Sequence, residues 1–354
     1  MYYNEHKGFI PSLNGFKALM MLLIFYWHSP MKNPSADLGA RMCEVLFVTS
    51  GFLVGYNYYY KEMPATFGQA WKYVKGKIAK VWPTHFIAFL LISGMAIKSD
   101  PDSFFTITNA VDAIVNLCLL QAWSTDYFSF NGAAWFISAL LFCYYISPLL
   151  ISLIKKKRFV AIMVSCIFLR IVLELCSVKG INILLFNYHV SPIIRCLEFF
   201  IGMLLIPWFF QIKNRISDQQ ESCTNLKGIV WSLIEIITIA VYVFLIFNKN
   251  DKWIRGYFVI AAAFLVFVFA IGEGFISKLF SLKPFMMFAS IQMEFYILHQ
   301  VIIRVLNPKV ACISTNPAIQ TVVLFLVILI LATIYKKYLS IKLSTFVEKI
   351  LNKL

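Results

Sequence analysis

The sequence predicts an all-α, polytopic transmembrane helix bundle of about ten spans, and three observations lead there. Hydrophobic residues make up 60% of the 354 and charged ones only 14%, with a mean hydropathy of +0.76, far outside the range of soluble domains. Apolar stretches of roughly 17 to 25 residues, long enough to cross a hydrocarbon core about 30 Å thick, recur from residue 13 to residue 335. The basic residues gather in the short loops between those stretches, where they set membrane orientation.

Taken in order, the spans fall at 13–28, 41–59, 81–97, 133–154, 159–176, 191–210, 228–247, 256–275, 285–306 and 318–335. An eleventh apolar stretch, 108–123, is short and carries Asp112, Asn116 and Gln121. Charge decides its place. If it does not cross, one side of the membrane holds 20 Lys/Arg and the other 7, so the first side is cytoplasmic and both termini lie there. If it crosses, the bias reverses. The stretch is therefore expected to be re-entrant or interfacial, and backbone at that depth must be buried in protein or line a wet cavity. No internal repeat or low-complexity linker divides the chain, so 1–354 reads as a single membrane domain.

Composition also limits the function classes. The net charge of +15 could suggest nucleic acid, but no nucleic-acid motif accompanies it, and membrane lipid is the expected partner of these loops. Eight cysteines, Cys223 among them, are scattered without metal-ligand spacing, and no metal is predicted.

Ionisable groups inside a span cost at least about 2.5 to 3.5 kcal/mol near its centre, so each needs a partner or a task. Arg170 with Glu174 and Arg195 with Glu198 are spaced to neutralise one another on one helix face. Lys17 and His28 have no such neighbour. Eleven positions apart, they project from one face of the first span about 16 Å apart along its axis. A cation low and a titratable imidazole high could line a path, with His28 as a base; an interfacial histidine beside Trp27 is the bland alternative. Ser50, followed by Gly51, reads either as a nucleophile or as a small residue that lets helices approach closely. Lys77 and Lys80 share a helix face and suit phosphates, or anionic lipid headgroups. In the ninth span, Glu294, Tyr296 and His299 point to a cavity-lining helix or to a structural hydrogen-bond network.

Several segments carry a family resemblance, in order, along nearly the whole chain. Leu13-Asn14-Gly15-Phe16-Lys17 followed by His28, Phe47 to Leu53, Lys77 to Pro83, Trp135-Phe136-Ile137-Ser138, Glu198 to Met203, and Tyr296 to Gln300 resemble the motifs of the acyltransferase family 3 membrane proteins. Lysine stands at positions 17, 77 and 80 where the family usually has arginine, and Asn14 where aspartate is common. The resemblance implies a bacterial cytoplasmic-membrane enzyme that moves an acyl group, most often acetyl, from acetyl-CoA or another acyl-CoA to a hydroxyl of a surface polysaccharide or lipid-linked sugar. It implies His28 and Lys17 as catalytic residues and Lys17, Lys77 and Lys80 as donor-binding ones. Ser50, Trp135, Glu294, Tyr296 and His299 are further candidates. A hydrophilic tunnel from the cytoplasm to His28 is expected on this reading. The competing class is a glycan or lipid transporter or flippase, which would favour inverted repeats and helices broken at matching Gly/Pro positions; neither is evident.

Overall fold

The computed structural model describes residues 9–33, 37–61, 66–156, 158–181, 187–218, 224–248 and 252–353; Cys223 lies outside them. Among the described residues there is no strand. The helices are α1 (Pro11–His28), α2 (Leu38–Tyr58), α3 (Phe67–Ser99), α4 (Pro101–Phe104), α5 (Ile107–Leu117), α6 (Trp135–Ile154), α7 (Phe159–Val178), α8 (Pro192–Leu204), α9 (Ile206–Asp218), α10 (Thr224–Phe247), α11 (Lys252–Ile271), α12 (Phe275–Phe280), α13 (Lys283–Ile313), α14 (Pro317–Tyr338) and α15 (Ser340–Leu351). Two single turns, Gln121–Trp123 and Gly132–Ala134, lie between α5 and α6.

Eight helical stretches are long and apolar enough to cross a membrane: α2, α3, α6, α7, α8 with α9, α10, α13 and α14. The other two expected spans, α1 and α11, are built into the same bundle. Helix α1 packs on α2, α12 and α13, and α11 on α2, α7 and α10. The chain is thus a multi-pass membrane protein. The eighth span ends earlier than expected, at Ile271, because Gly272 turns the chain in the left-handed region at φ 73°. A new helix, α12, then starts against α10: Ser232 Oγ accepts from its first amide, Phe275, at 2.9 Å, and the two oxygens of the buried Glu235 accept from Ile276 at 2.8 Å and Ser277 at 3.2 Å.

Segment 108–123 does not cross. Helix α5 has 11 residues, about 16 Å of axis against a core of about 30 Å. Its last carbonyls are held at mid-length of α3, where Trp82 Nε1 donates to Leu117 O at 2.8 Å and His85 Nε2 lies 2.9 Å from Asn116 O. Since the chain left the far end of α3 at Ser99, α5 must dip halfway and turn back. Ile107, Val111 and Ile114 form its exposed face, while Asp112 and Asn116 are buried.

Close approach of α2 and α8 organises the centre. A Cβ on Gly51 would strike the backbone carbonyl of Phe199, and one on Gly202 that of Val48. Small residues here allow near backbone contact, as the Ser50-Gly51 pair suggested.

Candidate functional site

Two cavities of similar size lie back to back in the bundle. The first, about 800 Å³, opens where α1 ends and α2 begins; His28, Arg41, Trp135, His189, Tyr296 and Arg304 are among its walls. The second, about 810 Å³, lies on the other side of the same helices, with Lys77, Lys80, Tyr144, Glu294, Lys336 and Glu348 in its walls. We term these the histidine-end and lysine-end cavities. On α6 they are lined by Trp135 and Ile137, and on α13 by Tyr296 and Glu294, residues two apart that point to nearly opposite faces of each helix. The partition is built of rings: Phe136 lies 4.6 Å from Phe47 and 5.3 Å from Tyr296, centroid to centroid. The expected tunnel is therefore interrupted by an aromatic layer of Phe47, Phe136 and Tyr296.

The sequence candidates divide between the two chambers. His28 faces the first cavity, its ring centroid 5.2 Å from that of His299. The His299 Nδ1 bonds to the Tyr296 carbonyl, which fixes Nδ1–H and leaves Nε2 as an acceptor. Buried Nε2 has no hydrogen-bond partner among the described residues. Tyr296 donates to Ala133 O at 3.0 Å. Trp135 stacks between His189 at 4.8 Å and the Arg195 guanidinium at 5.7 Å. His189, in the loop before α8, is held neutral: withdrawal from water first, then the charges of Arg195 and Arg41, push it down to about 3.

Lys77 and Lys80 face the second cavity, Lys77 above the rings of Tyr73 and Tyr144 at 5.0 and 5.1 Å. Lys17 lines neither chamber but lies close enough for its charge to be felt with that of Lys77. Among the described residues neither Lys17, Lys77 nor Lys80 has a carboxylate partner, whereas Lys336 pairs with Glu294 at 2.8 Å. Glu294 is thus separated from His299, although one helix carries both. Ser50 is hydrogen-bonded to Tyr144 and does not reach His28.

Sequence reasoning missed the extent of the ion network behind the histidine-end cavity. Arg170 reaches Glu198 and Glu174, both at 2.9 Å, and Glu44 at 3.7 Å. Arg41 reaches Glu44 at 3.0 Å, Glu174 at 3.5 Å and Asp37 at 3.8 Å. Arg195 holds Glu198 at 2.7 Å. The pairs expected within α7 and α8 do form, but as parts of one lattice across three helices. Its signal was present, since Arg41 and Glu44 are also three apart on one helix. Arg304 and His189 carried no such signal.

A comparison with family patterns matches residues 10–337 to an acyltransferase domain. No curated protein and no solved structure matches the chain significantly. The match spans every wall of the histidine-end cavity and all of the lysine-end cavity except α15, and on that extent the chain belongs to acyltransferase family 3 and is a membrane acyltransferase.

Proposed function

We propose that the protein transfers an acyl group, most simply acetyl, from acyl-CoA to a hydroxyl of a surface polysaccharide or lipid-linked sugar. The observation that carries this is the pair of neighbouring chambers, one lined by Lys77 and Lys80, which have no carboxylate partner among the described residues, and the other by His28 with His299 packed beside it. The donor docks in the lysine-end cavity, its phosphates near Lys77 and Lys80, with Lys17 adding charge behind them. Its pantetheine arm carries the thioester to the aromatic partition. The acceptor enters the opposite cavity, whose aromatic wall includes Trp27, Tyr127 and Trp135.

His28 takes the hydroxyl proton, and the acceptor oxygen bonds to the thioester carbonyl carbon. The tetrahedral intermediate then expels the thiolate as the C–S bond breaks, and the imidazolium returns its proton to sulfur. His299, acceptor at Nε2, orients the His28 ring or its proton. In this reading the protein lies in a bacterial cytoplasmic membrane with the lysine end and both termini inward, following the loop charges.

The test is label transfer from radiolabelled acetyl-CoA to envelope glycans by reconstituted protein. His28→Ala should lower transfer by at least about 100-fold, the range of a lost general base. Undiminished transfer by that variant overturns the assignment.

A further inference from the structure

We infer that the acceptor carries an anionic group, a phosphate or a carboxylate, near the hydroxyl it presents, and that Arg304 binds it. This deepens the acyl-transfer reading and rests on it. Four guanidinium groups line the histidine-end cavity, those of Arg41, Arg170, Arg195 and Arg304. The first three are committed to Glu44, Glu174 and Glu198. Arg304 is not.

Among the described residues its one hydrogen bond is from one terminal nitrogen to the Phe130 carbonyl at 3.1 Å. Among the described residues it has no carboxylate partner. The other terminal nitrogen and Gln300 Oε1 both lie against Gly132, and that buried oxygen has no hydrogen-bond partner among the described residues. A Cβ at 132 would come within 2.7 Å of Gln300 Oε1 and 3.3 Å of that nitrogen, so glycine keeps a side chain from covering either group. Arg304 is exposed where the cavity opens, and it and Lys32 are the two cations whose charge acts on His28. Lys32, too, lacks a carboxylate partner among the described residues.

At the cavity mouth a neutral acceptor displaces water from this guanidinium without supplying a counter-charge. An anionic one would receive the planar fork in two parallel hydrogen bonds. The unpaired charge also draws anions into the cavity. Gln300 Oε1, next to the fork, is left to accept from a hydroxyl of the same sugar. His28, one rim of the same chamber, then meets a hydroxyl placed at a fixed distance from the charged group.

The experiment is equilibrium binding of labelled glucose, glucose 1-phosphate and glucuronic acid to the full chain in nanodiscs. At least one charged sugar should bind about tenfold or more tighter than glucose, as a charge-assisted fork requires. In Arg304→Gln that preference should fall to about twofold or less, while Arg304→Lys keeps part of it because the charge remains. Lys32→Gln, on a loop and free of packing constraints, should weaken the preference partially and serves if Arg304→Gln does not fold. Which charged sugar wins distinguishes phosphate from carboxylate. Equal binding of glucose and both charged sugars, or a preference unchanged in Arg304→Gln, overturns the inference. Absence of label transfer from acetyl-CoA by the same preparation, with the charge preference intact, overturns the acyl-transfer reading and leaves the anion site standing.

Discussion

Glu198 shows how much a single buried carboxylate holds in this protein. It is fully buried and accepts from both Arg170 and Arg195, so its loss strands two guanidinium groups at once. Glu198→Ala should cost about 3–5 kcal/mol, the range for breaking a buried ion pair from one side. Thermal unfolding in detergent measures it. Replacing Glu44, which Arg41 and Arg170 also share with Glu174 and others, should cost less, and a reversed order would show that the lattice is not centred on Glu198. At this scale the sequence was partly readable. Pairing within a helix follows from spacing alone, and both expected pairs form. Pairing across α2, α7 and α8 depends on which faces meet, and no spacing rule encodes that. Arg304 was unreadable for the opposite reason: what marks it is a partner it lacks, visible only when every other arginine in the cavity has one.

Among the elements, α2 and α8 depend most on residues without side chains. Because a Cβ at Gly202 would meet backbone at Val48 and Phe52, no rotamer change relieves it. Gly202→Ala should therefore destabilise by about 3 kcal/mol, at the upper end for overpacking; a loss below about 1 kcal/mol in the same unfolding assay would mean the helices can slide apart. Helices were the most legible part of the sequence, since apolar length is a direct demand of the bilayer. Their ends were less so. Helix α3 begins at Phe67, well before the apolar run at 81, because its first half is an amphipathic extension that walls the lysine-end cavity with Tyr73 and Lys77. The half-crossing of α5 was inferred from loop charges, and Trp82 and His85 supply its physical cause by holding carbonyls that lipid could not satisfy.

At the scale of the whole molecule, the interruption of the expected tunnel has a consequence for the proposed reaction. In the proposed reaction donor and acceptor approach the aromatic layer from opposite chambers, so the rings must part for the acceptor oxygen to reach the thioester carbon. In that proposed reaction Phe136, which packs on Phe47 and Tyr296, is the side chain placed to keep water, the competing nucleophile, from the thioester. Shortening that side chain removes the barrier but neither imidazole nor lysine. In Phe136→Ala, coenzyme A release per acyl group transferred should therefore rise several-fold, about 3–5 kcal/mol of folding stability being lost at the same time through the cavity created. Phe136→Leu, which keeps most of the volume, separates the two effects: it should recover most of the stability and part of the coupling. The ratio of thiol released to label transferred, measured in proteoliposomes with acetyl-CoA supplied, reads the coupling directly. A ratio that stays at the wild-type value in Phe136→Ala would mean that water is excluded elsewhere, and that the ring layer serves packing alone.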